Sequence, residues 1–414
     1  MVSFALAALL CASALLAGSC AHKGLVSETY PEEFYKIPRK MDDGPHATNP
    51  RFLAYGDTQS GRRINQKFAS KDAWWTWKAF IFPFYYIYNL GQGAVGGVNW
   101  LRNVPDYGEV ERRTVRDAVY AEVVDTGPDF LMDLGDICMY DGRRPEHWET
   151  FIQENRFDVP LLEEVAFVPV IGNHDRANDE EYGYPNFSAV FDYPRFYVLD
   201  FPDVAIFVVD SDFILDQNQH IDDDLQDQLW TKWFVSSPGS NGPSWLEREL
   251  ASRRQKFKIV AMHHALATVG RHFSDWTNSS YGRNLIGKRR DLLDLLFEEG
   301  VQLLMAGHEH LYQHNTITRT GAGGDAGDER VIHMLITSGG GAPIRSLPDD
   351  DEIRKRLDSY RDEGFEVRNV ANFFVHHYSI VEVDTASLIV NTVGVDPDTV
   401  RPYPVLETIK IESR

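Results

Sequence analysis

The chain's 414 residues are 43% hydrophobic and 25% charged, which supplies apolar surface for one large α/β domain and argues against wholesale disorder. A formal net charge of −21 repels nucleic-acid backbones, and no basic run is longer than the three residues of Lys288-Arg289-Arg290, too few to offset it, so no nucleic-acid duplex is expected as a partner.

Residues 1–19 form an apolar, Ala/Leu/Ser-rich run whose length predicts a secretory signal segment rather than a spanning helix. Ala17-Gly18-Ser19 before Cys20 resembles a bacterial lipobox, the alternative being cleavage nearby by an ordinary signal peptidase. The expected location is therefore extracytoplasmic, in a periplasm or cell envelope, with the protein anchored to a membrane as a lipoprotein through Cys20. Removal of Cys11 with the signal and lipidation of Cys20 leave Cys138 as a free thiol, so no intrachain disulfide is expected. Residues 20–50 are rich in Pro, Lys, Glu and Asp without a clear period and read as a tether or lead-in, with the domain proper over 51–414.

Residues 52–56 are a short apolar strand that delivers Asp57 and Gln59 at its end. An aromatic-rich insertion follows at about 71–107, with Trp74, Trp75, Trp77, Tyr85, Tyr86 and Tyr88 before a cluster of glycines. Pro83 and those glycines oppose a continuous spanning helix, so the aromatics either pack on the domain's own core or belong to a hairpin that lies on a membrane surface or roofs the active site. Val110, Val115, Val119 and Val123 predict a helix over 109–125, and the apolar run 129–134 then ends in Gly135-Asp136. After a mostly helical 145–164, the strand beginning at Ala166 ends in Gly172-Asn173-His174-Asp175. Two apolar runs, 195–200 and 204–210, suggest a hairpin, and helical patterns cover 222–235 and 243–254. The strand 257–262 delivers His263, and after a helix at about 284–299 the strand 301–306 ends in Gly307-His308-Glu309-His310. From 330 onward the pattern is mainly β, interrupted by the charged stretch 349–364. Strands alternating with helices predict a parallel sheet with crossover connections.

Five apolar strands thus end in side chains able to ligate a metal: Asp57 with Gln59, Asp136, Asn173, His263, and His308 with His310. One carboxylate at a strand end is ordinarily a cap or turn residue. Five in succession, in the forms Gly-Asp, Gly-Asn-His-Asp and Gly-His-Glu-His, point to one metal site at the carboxyl edge of the sheet, where open α/β folds place their chemistry. Arg62, Arg63, Arg176, Arg271 and His272 lie on loops after these strands and are candidates for holding a substrate. Cys138, with no second cysteine near, reads as a small buried apolar residue. There is no Gly-x-Ser-x-Gly elbow and no His-Glu-x-x-His helix, so neither a serine hydrolase nor a zincin protease is expected.

On Gly135-Asp136, Gly172-Asn173-His174-Asp175, Gly307-His308-Glu309-His310 and the Trp245-Leu246-x-x-x-Leu250 helix before His263, the chain resembles the calcineurin-like metallophosphoesterases over about residues 51–395. The resemblance implies a four-layer α/β/β/α sandwich with two mixed sheets, and two divalent metal ions at the strand ends. One ion would take Asp57, Gln59, Asp136 and His310, and the other Asp136, Asn173, His263 and His308, with Asp136 bridging them. Three positions depart from the family: Gln59 stands where a histidine is usual, Ala265 where a proline is common, and Met139 where purple acid phosphatases carry a tyrosine. A Fe(III)-tyrosinate site is therefore not expected.

The implied activity is metal-dependent phosphoester hydrolysis, on a mono- or diester, with a metal-activated water as nucleophile. Two divalent ions against two carboxylates leave a local charge of about +2, enough to draw a phosphate into an acidic protein. Asp, Asn, Gln and His together suit Mn, Fe or Zn. His174 is expected to protonate the leaving oxygen and Asp175 to orient it. The expected substrate is a phosphorylated small molecule or phospholipid. The alternative is a membrane-anchored binding lipoprotein that keeps the fold with little catalysis.

Overall fold

Successive residues of a strand face opposite layers, so a strand covered on both sides reads as an unbroken apolar run. The chain builds its two sheets from such runs. The computed structural model describes residues 31–41, 45–60, 108–139, 142–176, 183–215, 222–320, 330–396 and 403–413. The expected signal segment, Cys20 and the aromatic insertion lie outside the described residues.

The first sheet contains β1 (Arg51–Tyr55), β2 (Phe130–Asp133), β3 (Ala166–Pro169), β11 (His376–Val383), β12 (Ser387–Val395) and β13 (Val405–Glu412). The second contains β4 (Tyr197–Asp200), β5 (Val204–Val208), β6 (Phe257–Ala261), β7 (Leu303–Ala306), β8 (Tyr312–Arg319), β9 (Ile332–Thr337) and β10 (Phe365–Phe373). Their orders are β13-β12-β11-β1-β2-β3 and β10-β8-β9-β7-β6-β5-β4. Both sheets are mixed: β1, β2 and β3 run parallel, as do β5, β6, β7 and β9, and antiparallel strands flank them. In β6, Phe257, Ile259 and Ala261 face the core shared with the other sheet, whereas Val260 and the following Met262 face the outer helices. Helices α1 (Glu109–Thr126) and α2 (Pro145–Ile152) pack on the first sheet. Helices α3 (Asp223–Trp233), α4 (Trp245–Ser252), α5 (Leu285–Glu298) and α6 (Asp350–Asp362) cover the second. The four-layer α/β/β/α sandwich expected from the resemblance is present.

Three local features sharpen the sequence expectation. The stretch 145–164 is not one helix: α2 passes into a π-helical turn, Gln153–Asp158, and Pro160 breaks the run before a last turn at Leu161–Glu164. The charged stretch 349–364 carries α6, whose first turn Asp349 caps by accepting from Glu352 N at 2.9 Å. The lead-in is not a free tether from residue 31 on: Phe34, Tyr35 and Ile37 are buried in the shared core, and Tyr35 donates to Glu149 at 2.7 Å. Its apolar side chains find a covered groove, so the domain starts before Arg51.

A buried ion pair links this frame to the candidate site. Arg112 on α1 donates to both oxygens of Glu154 at 2.8 Å, and its other amino group reaches the Gln59 carbonyl at 3.4 Å. Both side chains are almost fully buried, at 6% and 4% exposure, so removing one strands the other. We predict that Arg112→Met costs about 3–5 kcal/mol, and that Arg112→Met combined with Glu154→Leu recovers most of that loss. Urea unfolding midpoints of the two variants check it; equal midpoints would contradict it.

Candidate metal centre

The five ligand-bearing loops meet because the parallel strands β1, β2, β3, β6 and β7 all end on the same side of the two sheets. Hydrogen bonds then stitch the sheets together at that edge. His308 N donates to Asp57 Oδ2 at 2.8 Å, and His263 Nδ1 donates to the Leu134 carbonyl at 2.8 Å. Close approach demands glycine at the joints: Gly135 holds φ +97°, and a Cβ on Gly172 would lie 2.2 Å from Asp136 N.

Backbone strain concentrates at the candidate ligands. Among the described residues, the non-glycine positions with positive φ are Asp57, Gln59, Asp136, His308 and His310, plus Asp192 and Asn284. Left-handed conformations cost a non-glycine residue energy and persist where surroundings enforce them, typically at functional sites.

The donor atoms crowd in a way that calls for a cation. His263 Nε2 lies 3.1 Å from Asn173 Oδ1, 3.2 Å from Asp136 Oδ1 and 3.1 Å from His308 Nδ1. His308 donates its other nitrogen, Nε2, to Asp275 Oδ2 at 2.8 Å, so its Nδ1 presents a lone pair. Three electron-rich atoms thus face one imidazole nitrogen that can carry a single hydrogen. A metal ion among the four satisfies them all. Burial works against a charge on His263, yet the Asp136 carboxylate outweighs it and lifts the imidazole to about 10. Burial, with His272, His264 and His263 adding to it, keeps His308 well below the ordinary histidine range and therefore neutral. For Asp136, burial is likewise overcome, by His174 and His263, and its carboxyl is held far below the usual range.

The second half of the site is built similarly. Asp57 Oδ1 is buried without a hydrogen-bond partner, 3.3 Å from His310 Nε2. His310 Nδ1 donates to the Pro343 carbonyl at 3.2 Å, which leaves Nε2 facing inward. The Gln59 amide lies 3.2 Å from that nitrogen. His/Asp groups here could hold a metal: Asp57, Asp136 and His263 form one, and His263, His264 and His308 another.

Of the other residues picked out by sequence, His174 is part-exposed, with its N–H donating to Asp136 Oδ1 at 2.9 Å and its Nε2 3.5 Å from Asp136 Oδ2. Asp175 is engaged differently from the expected orienting of His174. Its carboxylate accepts from Asp136 N at 2.9 Å, Gly172 N at 3.0 Å and Cys138 N at 2.8 Å. It frames the ligand loops. Cys138 is buried and, among the described residues, in no disulfide. Arg176 is corrected as a substrate contact: it is 1% exposed and paired with the buried Asp212 at 2.6 Å, so its charge is spent inside the fold. Arg271 is exposed, the His272 ring packs at a tilt of 51° against the His308 ring with centroids 3.9 Å apart, and Arg62 and Arg63 lie outside the described residues.

Sequence reasoning missed Asp275, Glu309 as a positioning group, and Arg345. Glu309 is buried and accepts from Thr268 Oγ1 at 2.8 Å and His272 N at 3.1 Å, which fixes the loop carrying His272. Arg345 N donates to the His310 carbonyl at 2.9 Å, and its guanidinium contacts His272 Nε2. The glycine run after β9 signalled a sixth loop at the same sheet edge.

Two mixed sheets between helices, with Asp, Asn and His donors gathered from parallel strand ends, define a metallophosphoesterase domain. The profile of the calcineurin-like phosphoesterase family matches residues 50–312, and the chain belongs to that family. It is similar to purple acid phosphatase 17 of Arabidopsis thaliana, 30% identical over 224 residues, which cover 52% of this chain and 59% of that protein. It is also similar to tartrate-resistant acid phosphatase type 5 of Mus musculus, 26% identical with 53% and 66% covered. The match thus spans under two thirds of each relative. A solved purple acid phosphatase from yellow lupin (Lupinus luteus) seeds shares the fold, with a TM-score of 0.54 at 14% identity over 89% of this chain and 54% of that one.

If Asp136 serves both halves of the site, Asp136→Asn should lose more bound metal than Gln59→Ala, which touches one half. Elemental analysis of the purified variants decides this; wild-type metal content in Asp136→Asn would remove the bridging role.

Proposed function

We propose that the protein hydrolyses phosphoesters at a centre of two divalent ions, Mn, Fe or Zn, acting on a phosphorylated small molecule or phospholipid. The observation that carries this reading is the convergence of Asn173, Asp136 and His308 acceptor atoms on His263 Nε2. In it, Asp57, Gln59, Asp136 and His310 hold one ion, and Asp136, Asn173, His263 and His308 the other. Bound ions supply Lewis acidity toward the phosphoryl oxygens and acidify water at neutral pH. Asp275 keeps His308 in the tautomer whose Nδ1 lone pair faces the centre, and the Leu134 carbonyl does the same for His263 Nε2. Gln59 presents its amide oxygen after a half-turn about its last side-chain bond, a choice that swaps two atoms of similar size. His174, open to solvent on one side and adjacent to Asp136, delivers the proton to the leaving oxygen. Assay of mono- and diesters with each metal is the direct test; metal-loaded protein inert toward all of them would sink this reading.

The role of His174 has its own signature. An alkoxide leaving group needs a proton, whereas a nitrophenolate departs without one. His174→Ala should therefore lose about 10²- to 10⁴-fold on an alkyl phosphate and much less on the nitrophenyl ester, the usual span of general acid catalysis. Metal content should not change. A uniform loss across leaving groups would assign His174 to charge stabilisation instead.

For location, we infer a lipoprotein of the cell envelope, held by a lipid on Cys20 and aided by the aromatic insertion at the membrane surface. Among the described residues no helix is long and apolar enough to cross a membrane. Two membrane signals are generally needed for stable anchoring. Cys20→Ser should shift much of the protein from the membrane to the soluble fraction on centrifugation, and unchanged fractionation would discredit the lipid anchor.

A further inference from the structure

We infer that Arg345 is a substrate-clamping residue which, with Arg271, binds the phosphoryl oxygen left free by the metal ions and so favours a phosphoryl dianion over a diester monoanion. The inference rests on the phosphoester reading above.

Position comes first. Arg345 follows the glycine run Gly339-Gly340-Gly341 after β9, the parallel neighbour of β7, so it arrives at the same edge as His308 and His310. Its N–H bond to the His310 carbonyl, 2.9 Å, ties its backbone to a candidate ligand. Its guanidinium is then aimed by a chain of contacts. His272 Nε2 accepts from Arg345, which leaves Nδ1–H toward Asp275 Oδ2 at 3.4 Å, and the same oxygen accepts from His308 at 2.8 Å. A rotation of Arg345 would disturb a line of groups that ends on a ligand of the centre.

Charge comes second. Arg345 is half-buried, and the charges it senses most are Asp57, Arg271, Glu309 and Asp136. Among the described residues neither Arg345 nor Arg271 has a carboxylate within salt-bridge distance, whereas Arg176, another candidate, is ion-paired with Asp212. Two neighbouring guanidinium groups, one of them half-desolvated, are costly to leave without an anion. A terminal phosphoryl group has three non-bridging oxygens: two can face the metal ions and the third meets a guanidinium fork built for such an oxygen. A diester has only two, and its second ester substituent would stand where the fork points.

The test uses metal-loaded protein and two non-hydrolysable probes, phenylphosphonate, a dianion in mildly alkaline buffer, and its methyl ester, a monoanion. Calorimetry should show Arg345→Gln weakening phenylphosphonate by about 10- to 100-fold, the range of a lost hydrogen bond to a charged group, with little change for the methyl ester and with full metal content. Arg345→Lys should recover part of the affinity, because it restores the charge without the fork. Equal weakening of both probes, or metal loss in Arg345→Gln, would overturn the clamp and make Arg345 a counter-charge for Asp57 and Asp136. Wild-type protein that loads with metal yet binds neither probe would overturn the phosphoester reading and the clamp together.

Discussion

Mutual repulsion among buried electron-rich atoms is the constraint on which the rest of the structure depends. Carboxylate, amide and imidazole donors from both sheets are pressed to within about 3 Å of one another, a distance that is unfavourable unless positive charge lies among them. Strain adds to the cost, because Asp57, Gln59, Asp136, His308 and His310 all sit in the left-handed region. Conformations of that kind cost on the order of 1–3 kcal/mol each and survive only when the surroundings over-determine them.

What over-determines them is the sandwich. β1, β2 and β3 on one side and β6 and β7 on the other are buried on both faces, so their registers cannot slip without exposing a whole row of core side chains. Rigid strands deliver each loop to one place, and the loops are then bonded across the gap between sheets. The same arrangement separates the site from the net charge: the site is governed by a few charges at short range and the net charge by distant, screened ones.

Much of this was legible in the sequence because each candidate ligand sits at the end of its own short, largely apolar run, closed by glycine before Asp57, Asp136, Asn173 and His308 and running straight into His263. Asp136, Asn173, His263 and His308 needed no long-range information to be singled out, and their gathering followed from the crossover order of strands and helices. What stayed hidden depends on contacts between distant segments. Arg176 sits next to a motif yet is neutralised by Asp212, which no spacing rule connects to it. Asp275 acquires meaning only when His308, 33 residues away, turns a nitrogen toward it. The docking of Phe34 and Tyr35 was invisible because a short irregular segment has no period, and only a groove formed by other elements gives it a place.

The triple hydrogen bonding of Asp175 carries a consequence for how the centre acquires its ions. Three backbone amides from two separate loops are gathered on one buried carboxylate, which holds Asp136 and Asn173 in register by contacts inside the protein. The entropy of ordering those loops is met during folding, by the core, and not during metal uptake. An incoming ion would meet donors already held in place, so its affinity would follow radius and donor type, with little slack for a misfitting ion. Metal choice is in that sense written into the packing around Asp175, one layer behind the atoms that touch the ion.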